Sequence, residues 1–221
     1  MAGTCYFDIY KRAIIEFKDP TLKKMLNDNS ILFSETMYNF LENAISLFTT
    51  PYETVKKLSK RAVPETETEN FVCNGTDKTF VLTDFPSDDL VDFCLFEYTV
   101  NGEKVEGSYD KTTHTVILDI VPPENSNLVV YTYYIGNFTD TLYDEEIYIL
   151  SQFIVACWSE FITNDKLDII RLLGDTDFKL TSNSSTTTSK TAWGVTNIER
   201  VNKRMSKYAW DCRYRGKYGN G

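Results

Sequence analysis

Asn127-Leu128-Val129-Val130-Tyr131-Thr132-Tyr133-Tyr134-Ile135-Gly136 decides how the rest of the chain is read. Val129, Tyr131, Tyr133 and Ile135 alternate with Val130, Thr132 and Tyr134, so the spacing predicts a strand. Upstream lie similar runs at 70–73, 79–83, 92–100, 105–109 and 114–120. In the run 92–100, Phe93, Leu95, Glu97 and Thr99 alternate only partly with Cys94, Phe96, Tyr98 and Val100, which predicts a strand buried on both faces. Asn101-Gly102 is a strong hairpin signal, and Asp110-Lys111-Thr112-Thr113 predicts a second turn. Pro122-Pro123-Glu124-Asn125-Ser126 makes a third connection. Short strands at this spacing, linked by hairpins, predict a small antiparallel sandwich or barrel.

On both sides the period changes to 3.6. Tyr6, Ile9, Tyr10, Ala13, Ile14 and Phe17 predict a helix over 5–18. Asp19-Pro20 opens a short one over 20–27 with Leu22, Met25 and Leu26. Phe33, Met37, Phe40, Leu41, Ala44, Ile45 and Phe48 form one stripe over 30–49. Thr50-Pro51-Tyr52-Glu53 has the form of a capping box for a helix over 51–61, and Ala62–Asn70 reads as a polar linker. Beyond the strands, Asp144, Glu145 and Glu146 suit a helix N-terminus, and Ile147, Leu150, Ile154, Trp158 and Phe161 continue a stripe. Phe153, Val155, Ala156 and Cys157 fill its other faces, which predicts a buried helix. A shorter helix is expected over 164–173, capped by Asn164 and stopped by Gly174. Residues 181–191 are rich in Ser and Thr and predict a flexible hinge. Val195, Ile198, Val201, Met205 and Tyr208 predict a last helix over 193–210.

The expected fold class is therefore α+β: a helical bundle interrupted by a small antiparallel β-sandwich or barrel, with an extended C-terminal helical arm. Residues 1–66 and 139–180 form the bundle, 67–138 the inserted domain, and 181–221 the hinge and arm. The ends of an insert must lie close together on its host.

Apolar residues are 42% and charged residues 25% of the 221, ordinary values for a globular chain. No basic stretch followed by an apolar one opens it, and no run of about 18 apolar residues occurs, so neither a signal peptide nor a membrane span is expected. One histidine, His114, excludes a histidine-rich metal site. Cys5, Cys73, Cys94, Cys157 and Cys212 contain no C-x-x-C pair and read as reduced thiols of a protein made in a cytoplasm. The three N-x-S/T matches, at Asn74, Asn137 and Asn183, read as chance. No phosphate-binding glycine loop and no nucleophile elbow occur, so neither catalytic residues nor a cofactor are expected. Asp88-Asp89 reads as a turn, Asp175 and Asp177 as cap and turn residues, and His114 as an ordinary strand residue.

Charge is segregated along the chain. The net charge of −9 combines +2 over residues 1–61, −12 over 62–140, −5 over 141–189 and +6 over 190–221. At the basic end, Arg200, Lys203, Arg204, Lys207, Arg213, Arg215 and Lys217 interleave with Tyr208, Trp210, Tyr214 and Tyr218. That composition fits a segment that docks on a protein or touches nucleic acid. The partner-binding set expected here is Val195, Ile198, Val201, Arg204, Met205, Tyr208, Trp210, Arg213, Tyr214 and Arg215, ordered on assembly by the apolar stripe.

The helical parts resemble a family. The pieces are Asp8-Ile9-Tyr10 with Ala13, Ile14 and Phe17; Asp19-Pro20 and Leu22; and Leu41-Glu42-Asn43-Ala44-Ile45 through Phe48. After the insert come Leu142-Tyr143-Asp144-Glu145-Glu146-Ile147, Ile149-Leu150 and Trp158, then Leu173-Gly174-Asp175-Thr176-Asp177-Phe178-Lys179. In this order they resemble the head–tail connector (adaptor or neck) proteins of tailed bacteriophages. The resemblance implies a non-enzymatic virion protein, placed in the neck between capsid and tail. It implies a homo-oligomeric ring, usually twelvefold, beneath the portal protein. The ring would extend the DNA channel without sequence-specific binding and dock tail or neck proteins below. Two other readings compete: a tail terminator or decoration protein working through the β module, and a glycan-binding module that stacks sugars on Tyr131, Tyr133 and Tyr134.

Overall fold

The computed structural model describes residues 3–17, 20–83, 91–173 and 184–218. The expected cap at Asp19, the pair Asp88-Asp89, the stop at Gly174, the turn at 175–179 and residues 181–183 of the Ser/Thr segment lie outside them. The described chain is α+β, with helices α1 (Tyr6–Phe17), α2 (Pro20–Asp28), α3 (Ser30–Leu47), α4 (Tyr52–Ser59), α5 (Asp144–Leu173) and α6 (Ser184–Tyr218).

The stripes of α1 and α3 bury as their spacing requires. Tyr6, Ile9, Tyr10, Ala13 and Ile14 meet Phe33, Met37, Leu41 and Ala44 in one core, together with Ile149, Leu150, Phe153 and Ile154 of α5. The Asn29 side chain caps α3 by accepting the Leu32 N–H at 2.8 Å. α5 packs against α1, α3 and α6, which is why it is apolar nearly all round. Phe40 meets Trp158 and Phe161 of α5 edge-on, with ring centroids 5.2 and 5.8 Å away.

Three helical expectations change. The capping box at Thr50 does not form, because Pro51 is itself extended and takes the cap position, leaving Thr50 one residue too early. α5 runs through Asn164 without a break. The stretch holds neither Gly nor Pro, and an interior Asn costs only about 0.5 kcal/mol relative to Ala. α6 begins at Ser184 rather than at 193, so residues 184–191 are helical and not a hinge. Ser and Thr are mild helix formers, and a helix already nucleated propagates through them.

The insert is a sandwich of two antiparallel sheets. One has the order β2 (Glu65–Val72), β8 (Asn127–Tyr134), β4 (Cys94–Val100), β5 (Glu103–Val105); the other β3 (Thr79–Val81), β7 (Thr115–Leu118), β6 (Gly107–Asp110). Phe80, Leu82, Tyr98, Val100, Val116, Leu118, Leu128 and Val130 fill the space between them. Asn101 and Gly102 have φ of 51° and 84°, the left-handed pair of a two-residue hairpin between β4 and β5. The run expected at 105–109 is split between β5 and β6, which belong to different sheets. Not every connection is a hairpin either, since β8 lies between β2 and β4. His114 precedes β7, in a turn with φ of 53°, and its Nδ1 lies 3.0 Å from the Tyr109 hydroxyl.

The polar linker is shorter than expected: Glu65 to Asn70 belong to β2, paired with β8 from Glu65↔Tyr134 to Val72↔Asn127. Thr-Glu alternation hides the strand because β2 is a sheet edge with little to bury, and its ladder is made by the backbone. The same pairing brings both ends of the insert together. Tyr6 joins them from the bundle: its hydroxyl donates to the Ala62 carbonyl at 3.1 Å, and its N–H to the Gly136 carbonyl at 3.3 Å. Beside it, β1 (Thr4–Cys5) pairs with β9 (Asn137–Phe138).

Gly136 has φ of 90°, and a Cβ there would sit 2.6 Å from Tyr6 Cε2 and 2.7 Å from the Ala62 carbonyl oxygen. Gly136→Ala is therefore expected to cost about 3 kcal/mol, from the left-handed backbone and the overpacking together. Urea unfolding measures it, and a loss below about 1 kcal/mol would contradict the close packing at this junction.

Candidate interface on helix α6

α6 runs antiparallel to α5. Its Arg200 Nη2 donates to Gln152 Oε1 at 3.4 Å, and Arg204 makes a two-point ion pair with Glu145 at 2.6 and 2.9 Å. The Arg204 guanidinium also stacks over Tyr148 at 3.8 Å, and Arg12 of α1 lies 5.2 Å from the same ring. Arg204 holds the Glu145 carboxyl below the ordinary carboxylate value, chiefly through the hydrogen bond. A carboxylate lowered in the folded state adds stability above its unfolded value and loses it as pH falls through the lowered one. Glu145→Gln is thus expected to narrow the gap in stability between pH 7 and pH 3, read from urea midpoints at the two pH values. An unchanged gap would show that the pair adds nothing, as many exposed pairs do.

Val201 and Met205 do not wait for a partner. Both are buried in the bundle core, with Tyr208 half-buried beside them. The physical reason is the apolar perimeter of α5, which offers this stripe a face within the same chain. Ile198 is half-buried, whereas the side chains of Val195 and Arg215 lie outside the described residues.

Next to this seam is a buried carboxylate. Glu146 is 1% exposed and gathers donors from three elements. The Thr54 hydroxyl donates to Oε1 at 2.5 Å, Lys57 Nζ to Oε2 at 3.1 Å, the Tyr143 N–H to Oε2 at 2.7 Å and the Tyr208 hydroxyl to Oε1 at 3.1 Å. The Tyr143 bond is the acidic half of a capping box at the start of α5. Lys57 also lies 4.0 Å from the Tyr143 ring centroid. Burial, with the Cys212 contact and the Glu146 charge, raises the Tyr208 hydroxyl pKa. Glu146 was expected only to favour a helix start; its contacts across the chain had no local signal.

What α6 leaves outward is different in kind. Lys203, Lys207, Trp210 and Tyr214 are all exposed, Trp210 at 60% and Tyr214 at 49%, and the two rings pack 4.7 Å apart. At 100° per residue these four fall within roughly 60° of one another, opposite Val201 and Met205. An open groove of about 700 Å³ runs beside them, lined by Glu145, Lys203, Arg204, Lys207, Tyr208, Asp211 and Cys212. Since Tyr208 meets Glu146 near the start of α5, residues 209–218 run on past it for roughly 15 Å. Arg213 is exposed on this overhang.

Tyr131, Tyr133 and Tyr134 do not form one platform: Tyr133 is buried in the bundle core, and the Tyr134 hydroxyl, on the other face of β8, donates to Asn137 Oδ1. Among the described residues none of the five cysteines is in a disulfide, and no group of three or more His, Cys, Asp and Glu side chains converges. Burial pushes the Cys94 thiol up to about 12 and Cys157 to about 11, which keeps both in the unreactive thiol form. No helix among the described residues is long and apolar enough to cross a membrane. Compared with known proteins, the chain matches no family model, no curated protein and no solved structure.

Proposed function

We propose that this protein is a head–tail connector of a tailed bacteriophage: a non-enzymatic virion protein that forms a ring beneath the portal, continues the DNA channel and docks the tail. The observation that carries the reading is the bundle itself. The described parts of the segments on either side of the insert that bear the family resemblance bury apolar residues in one common core. A ring also needs two different faces that meet, and the chain carries its acidic and basic excess on separate parts. The sandwich stands on the outer side of this ring, because an acidic module lining the lumen would repel DNA phosphates. DNA then passes without sequence-specific contact, and tail or neck proteins bind below.

The test is the mass of the full chain alone and mixed with the portal protein, followed by its position in a cryo-microscopy map of the particle. A ring seated under the portal is the expected result. A chain found elsewhere in the particle, or in none, overturns the reading.

A further inference from the structure

The outward stripe of α6 has a complement on the same chain. β2 is an edge strand, with β8 on one side and no strand on the other among the described residues. Glu65 and Glu67 are exposed on it, and neither has an ion pair among the described residues. The same holds for Lys203 and Lys207. Glu69 is engaged, since it accepts from the Thr83 N–H and hydroxyl. A hollow of about 240 Å³ opens beside β2, lined by Glu67, Thr68, Glu69 and Thr132. Farther along the strand Val72 is 80% exposed.

We infer that the stripe Lys203, Lys207, Trp210 and Tyr214 seats the acidic edge strand β2 of a second copy of this chain; the inference rests on the ring reading above. The spacings agree. Residues two apart on a strand lie about 6.7 Å from each other, and residues four apart on a helix about 6 Å. Two lysines on α6 therefore face two glutamates on β2 in step. The aromatic pair supplies the buried anchor that interfaces favour, and the charges supply steering and register. The partner is a copy of this chain because the complementary charge is built into it, with −12 over 62–140 and +6 over 190–221. The contact joins unlike faces, as a cyclic ring requires, and repeated copies close where the rotation from one to the next divides a full turn. It also covers an edge strand that would otherwise be guarded only by its glutamates.

The experiment is sedimentation velocity on the full chain over a range of concentrations, with and without the portal protein. The variants are Lys203→Glu with Lys207→Glu, Glu65→Lys with Glu67→Lys, and all four together. Each reversed pair is expected to raise the concentration needed for self-association by about tenfold or more, and the fourfold variant to return to within about threefold of the parent. All six side-chain positions of the contact are exposed, so the variants should melt as the parent does; should a reversal melt early, Lys→Ala and Glu→Gln at the same positions take its place.

Self-association unchanged in either reversed pair overturns the inference while leaving the ring reading intact. So does a fourfold variant as weak as the single pairs. Loss of portal binding in the lysine variant alone, with the glutamate variant normal, assigns the stripe to the portal and overturns it as well. A parent chain that stays monomeric at every concentration, with and without the portal, overturns both readings.

Discussion

Replacing Glu146 by alanine lowers the unfolding midpoint by about 10 °C. Removing one partner of a buried, hydrogen-bonded charge pair costs about 3–5 kcal/mol, because the groups left behind have lost their solvent as well as their partner. For a chain of this size each kcal/mol moves the midpoint by about 2–4 °C. Here the Thr54 hydroxyl, the Tyr143 N–H, the Tyr208 hydroxyl and the Lys57 ammonium all lose their acceptor at once. Lys57 keeps partial access to water and suffers least, its side chain being 21% exposed. Glu146→Gln should fall between, since its amide retains one acceptor oxygen but turns a donor toward the others. Thermal unfolding of the three proteins at pH 7 is the measurement. A loss under about 1 kcal/mol for the alanine variant would mean that water replaces the carboxylate at no cost.

A chain ending at residue 195 loses its cooperative transition. Truncation strips Val201, Met205 and Ala209 from the bundle, together with the Tyr208–Glu146 bond. Burying Val201 or Met205 contributes about 1.5–3 kcal/mol each and the Ala209 methyl about 0.8 kcal/mol, so the sum reaches the low end of the 5–15 kcal/mol that holds a typical domain together. The stripe alone suggests a detachable arm whose loss leaves a folded subunit; its burial in the same chain reverses that expectation. Ending the chain at Cys212 instead keeps the buried stripe and should leave the midpoint within about 2 °C, since exposed residues contribute little. Hydrogen exchange on the monomer gives a second readout, with amides of 201–209 expected to be as protected as those of 149–158. If the 1–195 chain melts sharply near the parent, α6 is an appendage after all.

Much of the architecture was legible where side-chain pattern and backbone agree. α1 and α3 bury the stripes that their spacing marks, and Asn101-Gly102 turns where only left-handed backbone fits. β2 was hidden because an edge strand needs no apolar face. The unbroken course of α5 was hidden because weak helix formers such as Asn164 are overruled once neighbours pack. For α6, periodicity marks a face to be covered but not what covers it. Val201 and Met205 face their own chain, and the outward pattern of Lys203, Lys207, Trp210 and Tyr214 is informative only once the buried face is known. The Glu146 cluster joins residues 92 and 62 positions apart in the chain, and nothing local foretells such a meeting.

β8 gives Leu128 and Val130 to the interior of the sandwich, while Tyr133, near its other end, stands with Ile135 in the interior of the bundle. Two cores that hold one strand in common cannot lose structure independently. Detaching β8 from the bundle frees the last pairs of its ladders with β2 and β4, and disordering the sandwich removes Tyr133 from among the helices. The insert is thus no bead on a string. The two parts are expected to absorb heat in a single calorimetric peak, and a load placed on the sandwich is carried through β8 into the helices.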